Sequence, residues 1–256
     1  MTRRREVLTF AKPMHLFYLP SLSLGSRVDT SQVDSVTYLT EDDSRHAVKT
    51  LRLGVGDAIA VTDGHGNRFA GVITQADARR CAFRITDVQT TTPRPFSVHI
   101  CVAPTKNNDR IEWFVEKAVE VGIEKISFFW GKHSERRVLK LERLEKIAVA
   151  AMKQSLQSYL PQLNEAVSFG ELLETVPNTQ RFIAHLRAGE MPTNLVNAAK
   201  PGGEYTVLIG PEGDFAEREI EQAISAGFQL VTLGPNRLRT ETAALTACQI
   251  LNFINA

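Results

Sequence analysis

The chain has 256 residues, 43% of them hydrophobic and 23% charged, with a formal net charge of +1. That is enough chain for one large or two modest globular domains with a real core, and no apolar run approaches the length needed to cross a bilayer. Cys81, Cys101 and Cys248 are far apart and the six histidines show no H-x-x-x-H spacing, so a reduced cytoplasmic protein is expected, without a disulfide scaffold or a metal site.

A net charge near zero leaves any nucleic-acid binding to local basic patches, because phosphate neutralisation depends on where Lys and Arg are placed. In chain order, residues 1–13 read poorly as structure. Thr2-Arg-Arg-Arg5 is basic, but no apolar stretch and small-residue cleavage site follow it, so a secretory signal is not expected. The reading there is a mobile tail, or a true start at Met14, where the strand-like Met14–Leu19 begins.

Residues 14–92 are dense in short strand signals. Asp57–Thr62 and Asn67–Thr74 flank Asp63-Gly-His-Gly66, a hairpin turn by its Gly and Asp content. Cys81–Thr86 alternates as a further strand, and Asp42–Leu51 reads as a short helix. Many short strands in eighty residues predict a small β-barrel. Thr90-Thr-Thr-Pro-Arg-Pro95 then breaks the pattern, since two prolines remove ladder donors and bias their neighbours to extended chain.

Over 97–256 strands alternate with helices. Strands are predicted at Ser97–Ala103, Lys125–Trp130, Arg181–Leu186, Tyr205–Gly210 and Phe228–Leu233. Helices are predicted at Asn108–Val121, Lys140–Tyr159, Ala216–Ala226 and Thr242–Ile254. Such alternation predicts an α/β domain with a mostly parallel sheet. The last helix is apolar around most of its girth, with a narrow polar stripe of Thr242, Thr246, Gln249 and Asn252. That pattern fits burial on several sides, within its own domain or against a partner subunit.

Two strand–loop–helix segments carry the chemistry. In the first, apolar strand residues end at Gly210-Pro-Glu-Gly213. Asp214 is placed as the N-cap of the next helix, with Glu217 completing a capping box. Glycines around a proline let backbone approach a ligand at the carboxyl end of a strand, where open α/β sheets bind ligands. Neither a phosphate-binding P-loop nor a G-x-G-x-x-G fingerprint is present. The second segment ends at Leu233-Gly-Pro-Asn-Arg-Leu-Arg-Thr-Glu-Thr242, with Thr240 as the expected N-cap. Arg239 opposes the helix dipole there, so it serves either an anionic ligand or developing charge, or an ion pair with Glu241 or Glu212. Glu112, Glu116 and Glu120 share one helix stripe and read as a solvent face.

With both loops in hand, the chain resembles the RsmE family of the SPOUT class of methyltransferases. The likeness rests on Leu208-Ile-Gly-Pro-Glu-Gly213 and on Leu233-Gly-Pro-x-x-Leu-Arg-Thr-Glu-Thr242 followed by Ala244-Leu245. Lys106-x-x-Asp-Arg-x-Glu-Trp113, Lys117-Ala118, Glu120-x-Gly122, Ser134-Glu-Arg136 and, upstream, His46-x-x-x-x-Leu51-Arg-Leu-x-x-Gly-Asp57 extend it. The resemblance implies a PUA-like RNA-binding β-barrel followed by a SPOUT-type sheet whose C-terminal chain forms a trefoil knot. It also implies a homodimer and S-adenosyl-L-methionine as cofactor. The implied reaction is methylation of N3 of a uridine in small-subunit (16S) ribosomal RNA near the decoding centre, on the assembled 30S subunit. The implied cofactor contacts are His185 and Leu186, then Leu208, Ile209, Gly210 and Gly213, then Leu233, Gly234, Leu238, Arg239, Thr240 and Glu241. One departure is Lys153-Gln-Ser-Leu-Gln157, where the family carries an acid, Gln-Ser/Cys and Gly-Arg.

A uracil N3 must lose its proton during attack, and charge then spreads onto the ring oxygens. Arg239 is the expected catalytic residue that stabilises it; the general base is not identified. N3 lies on the pairing edge, so the target must be unpaired or flipped. Arg45, Lys49 and Arg52 form one candidate RNA patch, and Lys132, Arg136, Arg137, Lys140 and Arg143 a second, each readable also as a solvated face. Two alternatives stand beside this: a related methyltransferase acting on another RNA nucleotide, and a non-catalytic RNA-binding factor in ribosome assembly.

Overall fold

The computed structural model describes residues 15–22, 33–135, 137–185 and 192–256. The tail 1–13, Met14, Arg136 and Leu186 lie outside the described residues. The chain divides into two compact units, 1–92 with 156–159, and 93–155 with 160–256.

The first unit is a five-stranded half-barrel. Its strands are β1 (Leu16–Tyr18), β2 (Val36–Tyr38), β3 (Ala58–Thr62), β4 (Asn67–Gln75) and β5 (Ala82–Thr90), in the spatial order β1-β3-β4-β5-β2. β1 and β3 are parallel and the remaining pairs antiparallel. Along β4 Asn67, Phe69, Gly71 and Ile73 are buried while their neighbours are partly exposed, the period of two that a one-sided sheet requires. Two bulges in the β4–β5 ladder bend the sheet. Phe17, Ile59, Val61, Phe69, Phe83 and Ile85 fill its core. The helix predicted at 42–51 is α1 (Glu41–Arg45) running on into a π-turn over His46–Thr50, where the Leu51 N–H reaches His46 O at 3.0 Å.

The second unit holds a seven-stranded, wholly parallel sheet. Its strands are β6 (Phe96–Val102), β7 (Lys125–Trp130), β8 (Gln162–Ser168), β9 (Gln180–Ala184), β10 (Thr193–Asn194), β11 (Gly203–Ile209) and β12 (Gln229–Thr232), ordered β10-β12-β9-β11-β6-β7-β8. Its helices are α2 (Asn108–Val121), α3 (Leu141–Gln154), α4 (Phe169–Thr175), α5 (Leu195–Ala198), α6 (Glu217–Ser225) and α7 (Thr240–Phe253). α4 and α6 cover a cluster of Cys101, Phe129, Ile183, Leu208 and Phe215. α7 lies against β6, β11, α2 and α5. It buries Ala244, Ala247, Cys248 and Leu251, while Phe253 stays 76% exposed. β12 enters the sheet between β9 and β10, both earlier in the chain. The path from β9 to β10 runs through 186–191, outside the described residues, so the knot that the resemblance implies is not traced among the described residues.

Three local expectations are corrected. α3 stops at Gln154 rather than 159, because Leu156 takes a left-handed φ of 57° that no helix accommodates. Leu156–Tyr159 then belong to the first unit, where the Tyr159 hydroxyl donates to Thr91 O at 2.7 Å. The N-cap of α6 is Ala216, not Asp214: Asp214 is itself left-handed (φ 65°), and Glu219 accepts from the Ala216 N–H at 2.8 Å. Thr240 is the first residue inside α7, with Arg239 as its N-cap.

Among the described residues all three cysteines are free and buried. No described helix is long and apolar enough to cross a membrane.

Candidate active site

Parallel strands all deliver their carboxyl ends to one edge, and a crevice opens there where neighbouring loops diverge. The carboxyl ends of β9, β11 and β12 lie at that edge, and β11 and β12 feed two described loops there. The Gly210–Asp214 turn folds tightly over Phe215, whose ring stacks on Phe129 at 6.0 Å between centroids. A side chain at 210 has no room: a methyl group would stand 2.9 Å from the Phe215 ring. The second loop returns to the first, for the Thr240 hydroxyl donates to Gly210 O at 3.1 Å.

Between the loops lies a cavity of about 720 Å³. Of the residues expected to hold a cofactor, His185, Ile209, Gly210, Leu233, Gly234, Leu238, Arg239 and Thr240 line it. Three do not. Leu208 is wholly buried in the core beneath the sheet edge. Gly213 is exposed and turned to His133, where an added Cβ would stand 3.0 Å from the His133 Cβ. Glu241 is 8% exposed and faces Arg110.

Arg110, from the first turn of α2, joins the two loops. Its Nη1 is 2.7 Å from Glu212 Oε1 and its Nε 3.8 Å from Glu241 Oε1. The ion pair left open for Arg239 with Glu212 or Glu241 is therefore not formed among the described residues. Arg239 is exposed and lines the cavity, with no ion pair among the described residues.

Asp214, Asn236 and Arg237 also line the cavity and were not anticipated. Asn236 and Arg237 stand between Gly234-Pro235 and Leu238, so their place in a ligand loop was the available signal. For Asp214 the cap reading hid a second use: its Oδ1 lies 3.0 Å from His185 Nδ1.

The basic residues are partly spoken for. Arg143 pairs with Glu112 at 2.6 Å, which holds its guanidinium above the usual range. Arg45 pairs with Glu41 and Asp42. Lys49 and Arg52 in the first unit, and Lys132, Arg137 and Lys140 in the second, are exposed. Of the acidic stripe on α2, Glu116 and Glu120 bind Lys117. Among the described residues no group of three or more His, Cys, Asp or Glu could hold a metal ion.

The cavity suits a small nucleoside-sized ligand: apolar Ile209, Leu233 and Leu238 flank it, and its volume falls within the roughly 300–1,000 Å³ of such sites. A Cβ added at Gly234 would meet nothing within 4 Å, so the backbone there is bare toward the space.

Residues 92–252 match the RNA methyltransferase domain family, and 39–86 match the RNA methyltransferase PUA domain. The chain belongs to the RNA methyltransferase family. Within it the likeness is to the RsmE group. A probable rRNA-methyltransferase from Porphyromonas gingivalis is similar at 37% identity and a TM-score of 0.83, with 94% of this chain and 98% of that one covered. A ribosomal RNA small subunit methyltransferase E from Neisseria gonorrhoeae, solved bound to S-adenosyl methionine, is similar at 27% identity with TM-score 0.80 and the same coverage. A protein of that name from Mesomycoplasma hyopneumoniae is 36% identical over 145 residues, 54% of this chain and 63% of its own length.

Proposed function

We propose that this RNA methyltransferase transfers a methyl group from S-adenosyl-L-methionine to N3 of a uridine in small-subunit ribosomal RNA near the decoding centre. The observation that carries the reading is the closure of the 210–214 and 233–240 loops on one cavity through the Thr240–Gly210 hydrogen bond. The Neisseria relative named for the same class of enzyme was solved with that cofactor. When bound, the cofactor supplies an electrophilic methyl carbon on a positively charged sulfur.

The chain's own residues do the rest. Backbone at Gly210, Leu233, Gly234 and Leu238 and the Thr240 side chain hold the nucleoside, with Ile209, Leu233 and Leu238 against its base. Leu208, Gly213 and Glu241 act one layer behind, by shaping these loops. Arg239 stabilises the negative charge that spreads onto the uracil oxygens as N3 attacks. The exposed Lys49 and Arg52, and separately Lys132, Arg137 and Lys140, bind phosphates and position the RNA. The enzyme works in the cytoplasm as a homodimer on the assembled 30S subunit, with the exposed Phe253 and the partly exposed Leu245 and Ile250 of α7 as the natural place for a second copy.

Calorimetry with S-adenosyl-L-methionine and mass mapping of modified nucleotides in ribosomal RNA from a deletion strain test this. The expected result is saturable cofactor binding and loss of a single methyluridine from the small-subunit RNA. Absence of cofactor binding would leave only a non-catalytic RNA-binding factor, and loss of a different modification would reassign the substrate.

A further inference from the structure

The reaction proposed above needs a group to take the N3 proton, and five ionisable side chains line the cavity: His185, Glu212, Asp214, Arg237 and Arg239. The two guanidinium groups have no acceptor to offer. Glu212 is engaged twice, by Arg110 at 2.7 Å and by the Lys106 N–H at 3.3 Å. Asp214 Oδ1 already accepts the Phe215 N–H at 2.8 Å and faces His185 Nδ1 at 3.0 Å. His185 Nε2 makes no hydrogen bond among the described residues.

Building on that functional reading, we infer that His185 is the general base and Asp214 the residue that orients it. His185 follows directly on β9, and its own N–H is tied to Val231 O at 3.2 Å, so the ring stands on the rigid edge of the sheet. Only 10% of its side chain is exposed. Asp214 reaches it because the backbone at 214 is left-handed, a conformation uncommon outside glycine although Asp tolerates it better than most residues. Three contacts hold it there. The Asp214 N–H donates to Pro211 O at 2.9 Å, its carbonyl accepts from His133 Nδ1 at 3.2 Å, and its carboxylate caps the Phe215 N–H. A carboxylate on Nδ1 keeps the proton on that nitrogen, which leaves Nε2 as the ring's acceptor.

The step balances. The N3 proton passes to His185 Nε2, and the electron pair of the N–H bond stays on N3 and forms the bond to the methyl carbon. The pair of the carbon–sulfur bond leaves with sulfur. The positive charge that began on sulfur ends on the imidazole, beside the Asp214 carboxylate. Proton transfer by a positioned side chain contributes on the order of 10²–10⁴ in rate.

The test has two arms. In protein labelled with ¹⁵N-histidine, free of cofactor and RNA, the His185 ring signals, assigned by their loss in His185→Gln, are expected at the positions of an Nδ1-protonated ring. Asp214→Gly removes the carboxylate and keeps the left-handed backbone, and it should return the ring to a mixture of tautomers. An Nε2-protonated ring in the unaltered protein, or a ring indifferent to Asp214→Gly, overturns the assignment. In turnover assays with small-subunit RNA, His185→Gln should lose at least about 100-fold in kcat with cofactor affinity within about threefold. Asp214→Gly should lose about tenfold in kcat with KM unchanged. A His185→Gln protein that binds cofactor and keeps its kcat removes His185 from the chemistry alone. An unaltered protein that transfers no methyl group to the RNA removes the functional reading and this role with it.

Discussion

Arg110 Nη1 stands 2.7 Å from Glu212 Oε1 on the first cavity loop, and its Nε stands 3.8 Å from Glu241, just past the second. One guanidinium from a helix start thus joins two loops separated by almost thirty residues of chain. Glu241 Oε2 is buried without a hydrogen bond among the described residues, so Arg110 is the cation that makes its burial tolerable. Arg110→Ala leaves that carboxylate uncompensated. Because Arg110 itself is about one-third exposed, the cost is discounted to about 1–2 kcal/mol, well below that of a fully buried pair. Cofactor affinity should fall about tenfold, equivalent to roughly 1.4 kcal/mol, as the loops lose their common anchor. Calorimetry and urea unfolding read both effects, and unchanged affinity would show that the loops do not depend on this clamp.

Arg239 provides the contrast. It lines the same cavity, but it caps α7 with no side-chain bond and holds neither loop. Removing it should therefore spare the fold and most of the cofactor affinity. Arg239→Ala is expected to lower kcat by about 10²–10³, the range for losing one donor aimed at developing charge, with cofactor Kd changed less than about threefold. Equal losses in both, or unaltered turnover, would place Arg239 outside the transition state.

These two arginines also mark how much could be read from the sequence. Arg239 was conspicuous because a cation at a helix start contradicts the local dipole, a conflict visible in a single loop. Arg110 carries no such sign, since its partners lie more than a hundred residues away. α2 was delimited at both ends by its apolar stripe, with Ile111, Phe114, Val115, Ala118 and Val119 all buried. The edge strand β8 was missed because Gln162–Ser168 contains no fully buried residue and so no alternation to detect. α4 did carry a usable signal, for Ser168 and Glu171 form the reciprocal capping box that the pattern Ser-x-x-Glu encodes. Asp214 was misread as a cap because the left-handed backbone that turns its carboxylate to His185 is held in part by a contact from a distant loop, His133 Nδ1 to its carbonyl.

In the first unit, Gly66 and Gly56 form a matched pair. Both are left-handed, with φ of 97° and 94°. A Cβ at Gly56 would meet nothing within 4 Å, whereas one at Gly66 would overlap the Tyr159 ring. Gly56→Ala should cost about 1 kcal/mol for backbone strain alone. Gly66→Ala should cost about 1–2 kcal/mol more, because Tyr159 must leave its hydrogen bond to Thr91 O and the Gly66 N–H its bond to Ser158 O. Chemical denaturation of the two variants side by side isolates the contribution of the 156–159 segment; equal costs would mean that the segment adds nothing to the unit.

His99 predicts how the second unit responds to acid. It sits on β6, 5% exposed, with Nε2 at 2.8 Å from Ser127 Oγ. Asn164 Nδ2 donates to the same oxygen, so the Ser127 hydroxyl proton is free to bond Nε2 of a neutral His99 ring. Burial, reinforced by the charge of Lys125, pushes the imidazole down to about 3, against roughly 6.5 in the unfolded chain. Between these values the unfolded state binds a proton that the native state refuses. Stability is therefore complete above about pH 6.5 and declines as pH falls toward 3, by at most about 1.4 kcal/mol per pH unit. The window between pH 7 and 5 separates this effect from the carboxylates, which titrate lower. There the unaltered protein should lose about 2 kcal/mol of unfolding free energy. His99→Gln, which keeps a polar partner for Ser127 but cannot take up a proton, should start less stable and lose markedly less over the same range. Parallel pH profiles for the two proteins would show that His99 charges readily in the folded state, contrary to its burial beside Ser127 and Lys125.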